Sequence, residues 1–106
     1  MQLETFRQSL AQTHPPHDVS RPLAALWHAA KGAWDDAHKL AQQDEGEAQH
    51  DWVHAYLHRV EGDLANARYW YKRAGQPAAT GPLAAEWTAI ATALLASASA
   101  TTCDNR

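Results

Sequence analysis

β-Branched residues are scarce in this chain, which holds three valines and one isoleucine. Strands draw on such residues, and no segment alternates apolar and polar positions, so a fold built on sheets is excluded. Cysteine is nearly absent as well. Cys103 stands alone, so no disulfide can close within the chain, which fits a reducing, cytoplasmic setting. Beside Asp104 it has nothing to lower its thiol pKa and reads as inert. An excess of basic residues is also missing: Lys and Arg number 9 against 12 for Asp and Glu, a net charge of −3. That excludes the positive field of a general nucleic-acid binder, although Arg59, Arg68, Lys72 and Arg73 interleave with Tyr69, Trp70 and Tyr71. No Gly-x-Ser-x-Gly turn, glycine-rich phosphate loop or His-Glu-x-x-His element occurs. The opening MQLETFRQSLAQ carries Glu4 and Arg7 and is not expected to be a secretory signal. Pro82 to Ala100 has Glu86 as its only charge, but its alanine, serine and threonine gain little from lipid, so it reads as a buried helix rather than a membrane span.

What is present is helical. The 106 residues suit one domain spanning 1–106, with a helix and Pro-rich loop over 1–19 and a flexible tail over 101–106. Leu3, Phe6 and Leu10 share one face of a first helix, which His14-Pro15-Pro16-His17 ends. Ser20 is an N-cap for a second helix with the stripe Leu23, Leu26, Trp27 and Ala30. A third carries Trp34, Ala37, Leu40 and Ala41, with Asp35 and Asp36 in its first turn, where the helix dipole favours them. The fourth, from about Glu47 to Glu61, has two faces when drawn at ~100° per residue. Trp52, Val53, Tyr56, Leu57 and Val60 occupy one arc, and His50, His54, His58, Glu47 and Glu61 the other, which reads as a solvated face. Gly62 marks a left-handed turn and Asp63 the N-cap of a fifth helix that buries Leu64, Ala67, Trp70, Tyr71 and Ala74. Gly75 and Pro77 stop it, and Thr80 caps a sixth helix with the stripe Leu83, Trp87, Ile90 and Leu94. The expected class is all-α.

The helices echo one another. PLAALWHA at Pro22–Ala29 returns as PLAAEWTA at Pro82–Ala89, sixty residues on, with six of eight positions matched. Midway lies WVHAYLHR at Trp52–Arg59, which sets Ala55 against Ala25 and His58 against His28; the same shift pairs Gly32 with Gly62 and Ala37 with Ala67. A unit of helix, turn and helix recurring about every 30 residues predicts stacked antiparallel hairpins, two full units and a partial third. Ala25, Ala55 and Ala85 would be the small residues that admit close helix approach.

The run Glu61-Gly62-Asp63-Leu64-Ala65-Asn66-Ala67, followed by Tyr69-Trp70-Tyr71-Lys72-Arg73-Ala74 and Pro77, resembles the second half of a tetratricopeptide repeat, and Lys31-Gly32 with Trp34-Asp35-Asp36-Ala37 is similar. The resemblance implies helix pairs that bind a protein or peptide partner. The unit here is shorter than the family's, and Asp51, His54 and His58 fall where its first helix is aromatic and aliphatic. The block HAYLHRVEGDLANARYWYKRAG also resembles a widespread set of small uncharacterised proteins, which implies a shared fold.

Two kinds of chemistry have candidates. For partner binding, Trp52, Tyr56 and Arg59 on the fourth helix supply the aromatic and arginine anchors that dominate interfaces. Ala85, Ala89 and Ala93 on the sixth permit close self-association as a homodimer. The alternative is a divalent transition metal held by His54, His58 and Glu61, with His50 and Glu47 in reserve, since imidazoles at i and i+4 can share an ion. Eight residues of helix span roughly 12 Å, so His50, His54 and His58 cannot all reach one ion, and a third ligand from another helix, such as His28, would be needed. Glu47-Ala-Gln-His50 matches the Glu-x-x-His element of di-iron bundles, but Asp35 to His38 and Asp51 to His54 are only aspartate versions of the second copy. A binding module rather than an enzyme is therefore the expectation, with no cofactor required by the leading reading.

Overall fold

The computed structural model describes residues 1–104, and side chains through Ser97. It is all-α: α1 (Leu3–Gln8), α2 (Arg21–Ala30), α3 (Trp34–Ala41), α4 (Ala48–Val60), α5 (Leu64–Ala74) and α6 (Leu83–Asp104), with single 3₁₀ turns at Ser9–Ala11 and Gln42–Asp44. No strand occurs among the described residues, and no helix is long and apolar enough to cross a membrane. Cys103 and the expected tail over 101–106 lie outside the residues whose side chains are described.

Local signals set the helix ends. The Ser20 side chain accepts from the Leu23 N–H, Glu47 from His50 and Asp63 from Asn66, each satisfying an amide that its helix cannot. Gly32 and Gly62 close the α2–α3 and α4–α5 hairpins at φ of 79° and 89°, a left-handed region that costs other residues roughly 1–2 kcal/mol. The two turns use the same bonds thirty residues apart. Ala33 and Asp63 donate to the carbonyls of His28 and His58, and Gly32 and Gly62 to those of Ala29 and Arg59.

The α2–α3 and α4–α5 pairs are the most extensive contacts, α4 touches both helices of the first hairpin, and α6 packs across α2, α4 and α1. The main core gathers Phe6, Leu23, Leu26, Trp27, Val53, Leu57, Trp87, Ile90 and Leu94. Fully buried Ala25, Ala37, Ala41, Ala55 and Ala91 lie where backbones approach. Trp52, half-buried, bridges this core to a smaller cluster of Ala55, Ala67, Trp70 and Tyr71. Indole N–H groups staple elements together: Trp27 donates to Ser9 Oγ at 3.1 Å, Trp34 to the Leu57 carbonyl at 2.7 Å and Trp87 to that of Leu26 at 2.8 Å.

Three expectations change. Val60 and Leu64 are 40% and 54% exposed, because they flank the Gly62 turn at the tip of the hairpin, and Leu83, the first residue of α6, is also exposed. Ala85 is exposed, unlike Ala25 and Ala55, so the third copy of the echo is packed differently from the first two. Thr80 does not begin α6; its carbonyl accepts from Arg59, and the helix starts three residues later.

Arg59 organises that junction. Its guanidinium binds Glu86 at 2.7 Å, with the Arg59 and Glu86 side chains 13% and 6% exposed, and it also donates to the carbonyls of Thr80 and Gly81. The second Glu86 oxygen accepts from the Tyr71 hydroxyl. Burial, then that bond, drives the Tyr71 pKa far above its ordinary value. Glu86→Ala leaves two buried donors without their acceptor and is expected to cost about 3 kcal/mol in urea unfolding. Arg59→Ala should cost a similar amount, and the double variant much less than the sum; additive losses would mean the two groups are not coupled.

Candidate functional site: a buried imidazole cluster

The arc expected to face solvent is enclosed. His50, His54 and His58 are 8%, 3% and 7% exposed, because α3 and α5 lie against that side of α4. Trp70 of α5 stacks on the His54 ring at a centroid distance of 4.0 Å, and Trp34 of α3 stacks on His38 at 4.7 Å and meets His58 edge-on at 6.0 Å. Two indoles therefore wall the imidazole group.

Within that casing three histidines converge. His54 and His58 come from successive turns of α4 and stack at 4.8 Å. The third is His38, from α3, whose Nε2 lies 3.0 Å from the Nε2 of His54. One ligand nitrogen from each of His38, His54 and His58 can be chosen so that all lie within 4.8 Å of one another. His58 is further oriented by Glu61, whose carboxylate holds its Nδ1 at 2.5 Å. That leaves Nε2 of His58 for the cluster, the arrangement in which a carboxylate fixes the tautomer of a ligating imidazole.

Two of the three rings, His54 and His38, are pushed toward their uncharged forms. Burial first, then the proximity of His38 and His58, pulls the His54 pKa down from 6.5 to about 4. His38 is also lowered, by burial and by His58, against smaller opposing effects of Glu61, Glu45 and Asp35. Two imidazole nitrogens 3.0 Å apart cannot present lone pairs to each other; a proton must lie between them, or another cation in its place. The Nδ1 of His54 is buried without a hydrogen-bond partner.

This donor set fits a transition metal. Neutral imidazoles suit zinc, copper, nickel and iron, not magnesium or calcium. At bond lengths of about 2.0–2.1 Å, tetrahedral nitrogen ligands sit about 3.4 Å apart, between the 3.0 Å of the His38–His54 pair and the 4.8 Å within which all three lie. The lowered pKa values of His54 and His38 keep their nitrogens free of competing protons at neutral pH.

The remaining candidates are dispersed. His50 is separate: its Nδ1 holds Glu47 at 2.6 Å and its Nε2 is buried without a partner. Burial alone would raise the Glu47 pKa, but bonds from the His50 ring and the His50 and Gln49 amides bring it below its ordinary value. His28 meets Trp27 edge-on instead of supplying the third ligand. Glu61 and Asp63 form a second, outer group with His58 around the Gly62 turn. Trp52, Tyr56 and Arg59 do not share a surface: Trp52 lines a cleft against Pro77, Pro82 and Ala89, Tyr56 is 6% exposed, and Arg59 is engaged with Glu86. His38 is not among the candidates read from the sequence, although it follows Trp34 by four residues and so shares its helix face.

In metal-free protein an unfolded chain takes up the His54 proton near 6.5 while the folded one resists to about 4. The unfolded state therefore binds more protons between those values. Stability from this group is complete above pH 6.5 and falls by about 3 kcal/mol as pH drops through the window. His38 acts in the same direction. Urea unfolding of wild type and His54→Gln across pH 7 to 4 should show a shallower decline in the variant; parallel curves would refute the assignment.

No family model, no curated protein and no solved structure matches this chain, and the reading of its role rests on the geometry above.

Proposed function

We propose that this protein binds one divalent transition metal ion through His38, His54 and His58, on a scaffold of two helical hairpins. The observation that carries this reading is the approach of three imidazoles from two helices, His54 and His58 buried and His38 partly so, to within 4.8 Å. Burial depresses the His54 pKa to about 4, so little proton competition opposes the metal at neutral pH. Glu61 acts from outside the ligand set by holding His58. Three protein ligands leave a tetrahedral ion one further position, as in sites that hold water or an exogenous ligand.

Cobalt(II) serves as the spectroscopic probe and zinc(II) as its competitor. One equivalent of cobalt should produce visible absorption, displaced by zinc, and either ion should raise the unfolding temperature. His38→Ala and His54→Ala should each abolish the signal, whereas His50→Ala should retain it. Glu61→Gln should weaken binding by about 10–100-fold while preserving the spectrum. Absence of stoichiometric binding by the folded wild type would overturn the reading.

A second reading is a tetratricopeptide-like interaction module that takes a protein or peptide. It is supported by the identical hydrogen bonds of the Gly32 and Gly62 turns and by the cleft of about 260 Å³ between Trp52, the 76–82 loop and the Ala85–Ala89 face of α6. Trp52→Ala should then abolish capture of a partner from lysate, or shift a dimer to monomer in light scattering. A variant that behaves as wild type in both assays counts against this face.

A further inference from the structure

A different part of the molecule forms a groove that uses none of the imidazoles. Arg7 of α1, Leu10, Ala30 of α2, Tyr56 of α4, and Ala84, Trp87 and Thr88 of α6 line a space of about 460 Å³. That size falls in the range of small-molecule sites, roughly 300–1,000 Å³. Its aromatic wall is held in place: Trp87 packs on Phe6 at a centroid distance of 5.8 Å and its Nε1 is tied to the Leu26 carbonyl.

Two polar groups remain available there. The Arg7 guanidinium donates to Thr88 Oγ1 at 2.7 Å but has no carboxylate within ion-pair range among the described residues. Arg59 and Arg73, by contrast, both lie beside buried acids. Tyr56 is buried, yet its hydroxyl makes no hydrogen bond to another described residue. Burial and then Glu86 raise its pKa, so the phenol remains a donor at neutral pH.

An unpaired cation and a phenol donor on an otherwise apolar groove complement one kind of molecule. We propose that the groove binds a small amphipathic carboxylate, its ring or short alkyl chain against Trp87, its carboxylate taken by Arg7, with Tyr56 supplying the second donor.

Phenylbutyrate is the probe and phenylbutanol its uncharged control, titrated into the full chain while amide and indole NMR shifts are followed. The acid should produce saturable shifts at Arg7, Thr88 and the Trp87 indole, with about tenfold higher affinity than the alcohol, the scale of one charge-assisted contact. Arg7→Gln should erase that preference, and Tyr56→Phe, which removes only an unbonded hydroxyl, should weaken the acid severalfold with the circular dichroism unchanged. The proposal is overturned if the acid gives no saturable shifts, if the shifts lie elsewhere, or if the preference for the acid survives in Arg7→Gln.

Discussion

The arrangement of this molecule depends on one buried ion pair. Arg59 sits near the end of α4 and Glu86 near the start of α6, far apart in sequence and joined across the interface between the α4–α5 hairpin and the last helix. Because both groups are largely withdrawn from water, each requires the other, and Tyr71 takes the acceptor that remains. The carbonyls of Thr80 and Gly81 complete the guanidinium's contacts. One side chain thereby fixes the path of the connecting loop and the position at which α6 settles on α2 and α4.

A second constraint comes from placing imidazoles between indoles. His54 lies against Trp70 and beside two other imidazoles, and its withdrawal from water, then the nearness of His38 and His58, pushes it toward the uncharged form. The nitrogen atoms then face one another without the solvent that would ordinarily separate them. The N–H of one neutral ring, or a metal ion, must lie between them, so the burial that keeps His54 uncharged also leaves its nitrogens free to bind a ligand. The α3–α4 seam is also where the first hairpin meets the second, and anything bound there joins the two.

Much of the secondary structure was legible because it is dictated locally. Ser20, Gly62, Asp63 and Gly75 mark their helix ends through bonds and dihedral angles that involve only near neighbours. The two-faced character of α4 was equally plain. What a helical wheel lacks is the identity of the neighbour on each face. The arc of His54 and His58 is polar in sequence, and it is enclosed because Trp34 and Trp70 arrive from other helices. His38 belongs to the same category, since nothing near residue 38 indicates residue 54. The ladder spacing called for a third ligand from another helix and offered His28, whereas it is His38 that lies beside His54, a neighbour set by the packing of α3 on α4. Val60 and Leu64 illustrate the converse: apolar in pattern, they are exposed because the hairpin ends there.

The alanines at the helix crossings have a consequence for how this fold tolerates change. Ala25, Ala37, Ala41, Ala55, Ala67 and Ala91 are at most 2% exposed. Side chains so short have no rotamers with which to absorb an added methyl, so enlargement at any of them must be met by a shift of whole backbones. Their own transfer energy is small, which concentrates the hydrophobic stabilisation in a few indole and leucine anchors. The interior thus combines sites where almost any growth is disruptive with sites where almost any loss is, and its freedom to vary lies on the outer faces.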